Sequence, residues 1–296
     1  MAKGEIQGGV YVRRLELNKL IDRVFTVSAF VSTIAGLAFL TILVIDVVSD
    51  GGGRLSWQFL SNFPSRMAEK AGILSALVGT IWIMGLTSLF AIPLGIGAGI
   101  YLEEYGKKNP VTRLIEINIA NLAGVPSIIY GLLGLGVFVR LMSLERSLLT
   151  GALTLSLLVL PIIIIATRES LRAIPYSIKE ASYALGATQW QTISRQTLPA
   201  AMPGILTGVI LALSRAIGET APLITIGALT YIAFLPHGVF DPFTVLPIQI
   251  FNWVSRPQEA FATNAAAGIL VLLALTLMLN SIAIYLRHKY QKRIKW

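Results

Sequence analysis

The amino-acid sequence predicts an all-α membrane protein with six transmembrane helices, and two observations carry this prediction. Hydrophobic residues make up 55% of the chain and charged residues only 13%, with a mean hydropathy of +0.73, which does not suit the surface of a soluble domain. In addition, six apolar runs have the length needed to cross a hydrocarbon core, which takes about 20 helical residues. These runs are residues 24–48, 71–102, 117–139, 147–167, 198–229 and 260–286.

The first run, residues 24–48, follows a polar and basic segment, and its only charge is Asp46 near its end. It is too long for the core of a signal peptide, and no small-residue cleavage pattern follows it. We therefore expect an uncleaved first transmembrane helix, with the glycine-rich turn at 51–53 opening the next loop.

The second run, residues 71–102, contains no charged residue and is longer than a bilayer requires. A helix of this length must tilt, kink or project from the membrane. Pro93, Pro126, Pro161 and Pro222 predict kinks in four of the runs, because a proline leaves the carbonyl one turn back without its helical partner.

Two glycine pairs, Gly95 with Gly99 and Gly204 with Gly208, have the spacing that lets helix backbones approach closely. This spacing predicts helix packing without saying which helices meet. Between the last two runs, residues 230–263 form the longest predicted outer loop. Within it, residues 248–254 predict a short helix at the membrane interface, with Trp253 at headgroup depth.

Lysine and arginine residues are distributed unevenly across the six runs. The two terminal segments and the loops 103–116 and 168–197 hold 17 of them, whereas the three alternate loops hold six and Arg215 lies within a run. Positive charge is enriched on the cytoplasmic side of membrane proteins, so both termini and the 168–197 loop are predicted to be cytoplasmic. This distribution also accounts for the net charge of +9 without a nucleic-acid partner.

The 168–197 loop contains helix-start and helix-stop patterns. Ser177 with Glu180, and Thr188 with Gln191, both have the S/T-x-x-E/Q spacing of a capping box, and Gly186 between them is typical of a helix end. We therefore predict two short helices that meet at a tight turn. One interpretation of Glu180 is that it only caps its own helix, and the other is that it contacts a partner protein.

The fifth run carries the charge pair Arg215 and Glu219, spaced to lie on one helix face. Arg215 lies sixteen residues after Pro199, or about 24 Å of helix, and an arginine at the centre of a spanning helix costs roughly 2.5 to 3.5 kcal/mol. One interpretation is an ion pair that fixes helix register. The other is that Arg215 lines a translocation path and binds an anion, since its planar guanidinium matches oxyanions.

The 168–197 loop and the start of the fifth run resemble the coupling motif of ABC importer permeases. The matching residues are Glu180-Ala181-Ser182, Gly186 and Leu198-Pro199. Ser182 and Gln196 depart from the usual alanine and isoleucine without changing the spacing. The resemblance implies a type I importer (MetI-like) fold, with a coupling helix between transmembrane helices 4 and 5 that docks on a cytoplasmic ATPase through Glu180, Ala181 and Gly186.

Three segments, at 123–136, 184–200 and 214–224, are similar to the permeases of phosphate-specific ABC importers, and the last is most similar to the A-type permease. The resemblance spans residues 70–288. It implies inward transport of inorganic phosphate by alternating access in a bacterial inner membrane. It also implies three partners: a second, homologous permease, a dimer of ATPase subunits and an extracytoplasmic phosphate-binding protein. In this family Arg215 corresponds to the intramembrane arginine associated with transport, and Glu219 and Thr220 flank it.

The chain is then divided into a tail, first helix and outer loop (1–70), a permease domain (71–288) and a basic cytoplasmic tail (289–296). It contains no G-x-x-x-x-G-K-[ST] phosphate loop, so ATP hydrolysis is expected on another polypeptide and no enzyme activity or cofactor on this one. Ser127 and Tyr130 are further candidates for the path, although hydroxyls in membrane helices more often bond to the backbone.

The alternatives are an ABC importer permease for another oxyanion, such as sulfate, molybdate or phosphonate, or an ATP-independent secondary carrier. Inverted repeats and paired broken helices are common in secondary carriers, and the sequence shows neither clearly.

Overall fold

The computed structural model describes residues 2–107, 109–228 and 231–291, with side chains over 18–107, 109–228 and 231–289. All regular secondary structure in this part of the chain is helical. The predicted basic tail, 289–296, lies outside the described residues beyond Gln291. The α-helices are α1 (Ala2–Gly51), α2 (Trp57–Ser61), α3 (Leu74–Ile100), α4 (Pro110–Ala123), α5 (Ser127–Gly134), α6 (Leu148–Arg172), α7 (Tyr176–Ala184), α8 (Gln189–Thr192), α9 (Leu198–Ile217), α10 (Ala221–Ile226), α11 (Leu246–Val254) and α12 (Glu259–Gln291).

Among the described residues, five helical segments are long and apolar enough to cross a membrane, and a bent pair counted as one span brings the number to six. They contain α1, α3, α6, α9 and α12, and the pair is α4 with α5. Three wide, π-helical turns extend the regular helices: Tyr101–Tyr105 after α3, Leu135–Leu141 after α5 and Ile193–Thr197 before α9. The predicted all-α architecture of six spans is confirmed.

The third span is broken rather than kinked. The axes of α4 and α5 differ by 105°, and residues 124–126 form the break. Pro126 lacks a backbone N–H, and a residue that precedes proline, here Val125, disfavours helical geometry. The span predicted over 117–139 with a kink at Pro126 is therefore bent much more sharply than a kink.

The fifth span begins earlier and ends earlier than predicted. Its helix starts at Gln189, passes through the turn Ile193–Thr197 into α9, and stops at Ile217 rather than at residue 229. Gly218 follows as the helix end, and α10 begins only at Ala221, with Pro222 in its first turn where no hydrogen-bond donor is needed. The candidate site residue Glu219 thus lies in a break between two helices.

Helix α6 lies between α3 and α9 at the centre of the bundle, and both predicted glycine pairs face it. A Cβ atom on Gly208 would lie 2.1 Å from the Cβ of Ala166, too close for two carbon atoms. A Cβ atom on any of the other three glycines would lie 2.5 to 2.6 Å from a side-chain atom of α6. Gly95 faces Ile163, Gly99 faces Thr167 and Gly204 faces Ser170.

We expect Gly208→Ala to destabilise the protein, because the Cβ of Ala166 cannot rotate away and overpacking costs about 1 to 3 kcal/mol. The control is Gly97→Ala in α3, where the added methyl group meets nothing within 4 Å and alanine favours the helix. Thermal unfolding of the two purified variants in detergent measures the difference. Equal melting temperatures would contradict this packing.

The segments 52–73 and 231–258, which connect spanning helices, fold into a cap rather than into open loops. Arg54 organises it: its Nε donates to Asn264 Oδ1 at 2.8 Å, and its Nη2 donates to backbone carbonyls of 68–71. The predicted helix over 248–254 is present in α11, but Trp253 is only 1% exposed and packs on Phe59, with ring centroids 5.8 Å apart. Trp253 is therefore covered by α2 and does not face lipid headgroups.

A turn at residues 237–241 continues this cap onto α6. One carboxylate oxygen of Asp241 accepts the backbone N–H groups of His237 and Gly238, at 2.7 and 2.9 Å. These hydrogen bonds stabilise the charged carboxylate and lower the pKa of Asp241 below its ordinary value. The Asp241 carbonyl accepts the N–H of Leu148, at the first residue of α6.

Candidate translocation and coupling sites

Arg215 and Glu219 form an ion pair at the end of α9, as their spacing predicted. Arg215 Nε lies 3.2 Å from Glu219 Oε1. The Arg215 side chain is 43% exposed and that of Glu219 only 16% exposed. Arg215 is still in the last helical turn, whereas Glu219 follows the helix end at Gly218. The pair therefore lies at the end of the fifth spanning helix, before α10 begins.

This single contact leaves most of the polar atoms of the pair available. Within the described residues, Nη1 and Nη2 of Arg215 and Oε2 of Glu219 have no hydrogen-bond partner. A guanidinium that presents two free N–H-bearing nitrogens can donate two parallel hydrogen bonds to one oxyanion. Thr220 lies next to the pair, and its hydroxyl makes only a long contact, 3.5 Å, to the Gly218 carbonyl.

Helix α10, which follows the end of the fifth span, lies beside α5, which follows the break in the third span. Gly131 of α5 packs on α10, where an added Cβ would approach the Cα of Pro222 to 2.7 Å. Tyr130 is buried, and its hydroxyl donates to the Leu122 carbonyl at 2.8 Å, which fixes α5 against the end of α4. Tyr130 thus holds the break together, while Ser127 is half-buried at the start of α5.

The predicted coupling segment is a helix, a tight turn and a second helix. Gly186 has φ = +80°, a left-handed conformation that favours glycine, and Thr188 and Gln191 form the predicted capping box. The second helix is not short, because it continues into α9. The capping box of Ser177 and Glu180 is absent: α7 starts at Tyr176, after Pro175, and has no side-chain cap.

Glu180 is therefore exposed without a capping role. It makes no ion pair or hydrogen bond with the described residues, and Ala181 and Gly186 beside it are also exposed. Sequence reasoning missed two apolar neighbours: Leu185 is 90% exposed and Trp190 is 63% exposed. The sequence feature that could have identified them is the presence of large apolar residues in an otherwise polar loop. Apolar side chains exposed together beside a tight turn are typical of a protein-binding surface.

Comparison with known proteins identifies the family. A family model described as "Binding-protein-dependent transport system inner membrane component" matches residues 91–295, more than two thirds of the chain. The chain belongs to this family. It is thus a transmembrane permease subunit of an ABC importer, a transport component of an inner membrane, and the type I importer fold is confirmed.

Sequence relatives match the permease over most of its length and support the family assignment. It is 33% identical over 240 residues, 76% of this chain and 82% of the relative, to a "Probable ABC transporter permease protein YqgI" from Bacillus subtilis. It is also 33% identical to the "Phosphate transport system permease protein PstA" from Haemophilus influenzae, over 88% of this chain and 92% of the relative. The predicted resemblance to phosphate importer permeases is confirmed.

Solved structures show the same fold. The permease superposes on a chain of a bacterial ABC transporter involved in the import of the acidic polysaccharide alginate with a TM-score of 0.65. The match covers 93% of this chain and 99% of the other at 18% identity, so it establishes architecture alone.

Family membership also corrects one sequence argument. The third spanning segment is broken at 124–126, although the sequence did not show broken helices clearly. The lack of a clear break in the sequence is therefore no argument against a secondary carrier, and the family assignment decides that question instead. An ABC importer permease implies an ATPase, a second permease and a substrate-binding protein as partners.

Proposed function

We propose that this permease moves inorganic phosphate inward by alternating access, powered by ATP hydrolysis on a partner ATPase dimer. The second permease would be of the PstC type, and the delivering protein an extracytoplasmic phosphate-binding protein of the PstS type. The observation that carries this proposal is Arg215 at the end of the fifth spanning helix, where its two terminal nitrogens have no hydrogen-bond partner among the described residues. The names of several relatives support phosphate as the cargo.

A permanently charged arginine suits an oxyanion for two reasons. The guanidinium stays protonated at any physiological pH, and its fork matches two oxygens of a tetrahedral anion. Irregular backbone inside a membrane is tolerated where it is buried in protein or lines a water-filled cavity, and the irregular residues 218–220 between α9 and α10 would line such a cavity. Arg215, Glu219 and Thr220 would thus form the part of the path that meets the anion.

The proposed orientation places both termini and the α7–α8 segment in the cytoplasm, as the distribution of lysine and arginine suggests. In that orientation Glu180, Ala181 and Gly186 meet the ATPase from the membrane side. Another oxyanion is the second candidate, because the arginine fork alone does not distinguish tetrahedral anions.

Purification of the permease from its native membrane tests the proposal. We expect an ATPase and a second permease to accompany it, and the reconstituted complex to take up phosphate only with ATP and the binding protein. Uptake by the permease alone in liposomes, driven by a gradient, would contradict the proposal. Uptake of sulfate in preference to phosphate would leave the architecture intact and replace the cargo.

Glu219 offers a way to distinguish phosphate from sulfate. At neutral pH phosphate keeps a proton that it can donate to Glu219 Oε2, whereas sulfate has none and would be repelled. We expect Glu219→Gln to lower the ratio of phosphate to sulfate uptake by roughly 10- to 150-fold. This factor corresponds to the loss of one charge-assisted hydrogen bond of about 1.5 to 3 kcal/mol. Parallel uptake of both anions by the assembled transporter measures it.

The matched control is Thr220→Val, which removes a neighbouring hydroxyl without changing the charge. It should leave the ratio of phosphate to sulfate uptake nearly unchanged. If the Glu219→Gln transporter keeps the native ratio, Glu219 has no part in selectivity and only pairs with Arg215.

A further inference from the structure

A partly buried ion pair joins the coupling segment to the second span. Lys179 Nζ of α7 lies 2.8 and 3.0 Å from the two carboxylate oxygens of Glu104, in the wide turn after α3. The two side chains are only 15% and 5% exposed. Exposed ion pairs contribute little, whereas removal of one partner from a buried pair leaves an uncompensated charge. This pair therefore fixes α7 to the end of α3.

The helix on the other side of the turn is bound to the same residue. Gln189 Nε2, at the start of α8, donates to the Glu104 carbonyl at 2.7 Å. The hydroxyls of Ser182 and Thr192 share a hydrogen bond of 2.9 Å between α7 and α8. The two helices around Gly186 are thus held together, and both are attached to Glu104.

The residue before it, Glu103, extends the connection to the fourth span and to the broken third span. Its carboxylate accepts two hydrogen bonds from Arg172 of α6, at 3.2 and 2.8 Å. Arg168 of α6 pairs with Glu116 of α4 at 2.7 Å. Its buried Nε is 3.6 Å from Glu103 and has no hydrogen-bond partner among the described residues. A small shift of α3 would therefore make or break this contact.

From these contacts we propose that the Glu104–Lys179 pair is a mechanical link that transmits movement of the ATPase-bound coupling segment to α3, and through Glu103 and Arg168 to α4. This inference depends on the proposed docking of α7–α8 on an ATPase. Glu116 lies seven residues before the end of α4, about 10 Å along the helix, so its displacement moves the break at 124–126. Glu104 and Lys179 are positioning residues, since they do not touch the anion.

The test uses Glu104→Gln, Lys179→Gln and the exchange Glu104→Lys with Lys179→Glu, each in the full transporter. The control is Glu169→Gln, which removes an exposed ion pair of 3.2 Å to Arg172 in the same region. Three quantities are measured: co-purified ATPase, ATP hydrolysis stimulated by the loaded binding protein, and phosphate taken up per ATP hydrolysed.

We expect both single variants to keep the ATPase bound while uptake per ATP falls about 5- to 150-fold, the range of a typical coupling between two sites. The exchanged pair should recover most of the native ratio, and Glu169→Gln should retain it. A pair that only stabilised the fold would lower the amount of protein without changing uptake per ATP.

Four results would overturn the link. The first three are single variants that transport with the native ratio, an exchanged pair that assembles without regaining it, and failure of all three variants to accumulate, which would assign the pair to folding. Loss of the ATPase from the single variants would also overturn it, because the pair would then act in docking. Absence of an ATPase from the native complex is a different failure, that of the proposed function itself.

Discussion

Replacing Arg215 with alanine is expected to abolish phosphate uptake while the transporter still assembles and binds its ATPase. Two charge-assisted hydrogen bonds from the guanidinium, at about 1.5 to 3 kcal/mol each, would be lost, so uptake should fall by more than about 100-fold. Insertion should not suffer, because an arginine within a span costs roughly 2.5 to 3.5 kcal/mol and its removal relieves that cost. Uptake of labelled phosphate measures the loss of transport. The subunit composition of the purified complex measures whether the transporter still assembles.

Two further variants separate binding from helix register. Arg215→Lys keeps the charge but loses the fork, so it should retain only a small part of the uptake. The double variant Arg215→Ala with Glu219→Gln removes both charges and leaves no unpaired carboxylate. If it assembles without transport, the anion-binding role stands. If Arg215→Ala fails to assemble and the double variant transports normally, the pair serves helix register alone.

The parts of this fold that sequence reasoning predicted are those that local composition determines. The apolar runs predicted the spans because hydrophobic length is a property of consecutive residues. Gly186 predicted the turn because the turn needs a left-handed backbone conformation, which glycine adopts readily. By the same logic, the i,i+4 spacing of Arg215 and Glu219 predicted their ion pair.

Sequence reasoning failed where distant residues determine the outcome. Pro126 allows anything from a slight kink to the observed 105° break, and the packing of α5 on α10 contributes to the result. Trp253 is a residue type that often anchors a helix at the membrane interface, but Phe59, almost two hundred residues earlier in the sequence, packs on it. Glu104 and Lys179 are 75 positions apart, so no local pattern indicates their pairing.

The capping box of Ser177 and Glu180 failed for a local reason. Pro175 lets the helix begin at Tyr176, which moves Ser177 inside the first turn and Glu180 beyond it. Ser177 and Glu180 therefore have the spacing of a capping box, but Ser177 does not occupy the N-cap position that the box requires. This result removes the capping interpretation of Glu180 and leaves its exposed carboxylate available for a partner.

Leu185→Asp is expected to detach the ATPase without unfolding the permease. Because the Leu185 side chain is 90% exposed in the isolated chain, its substitution removes almost no internal contact. Full burial of a leucine in a partner surface contributes about 1.5 to 3 kcal/mol, and an aspartate in the same place would add an unpaired charge. Co-purified ATPase should fall by more than about tenfold, and ATP-dependent uptake should fall with it.

Glu180→Ala should weaken the same association by a smaller factor, since an exposed charge that pairs at an interface rim contributes less than a buried apolar anchor. Ser177→Ala is the matched control on α7: it is exposed and makes no cap, so ATPase binding and stability should both stay native. Retention of the ATPase by Leu185→Asp would exclude the Gly186 turn as the docking surface. The salt dependence of ATPase binding separates the contributions of Glu180 and Leu185. Added salt should weaken the contribution of Glu180, which acts through its charge, and should leave that of Leu185 unchanged.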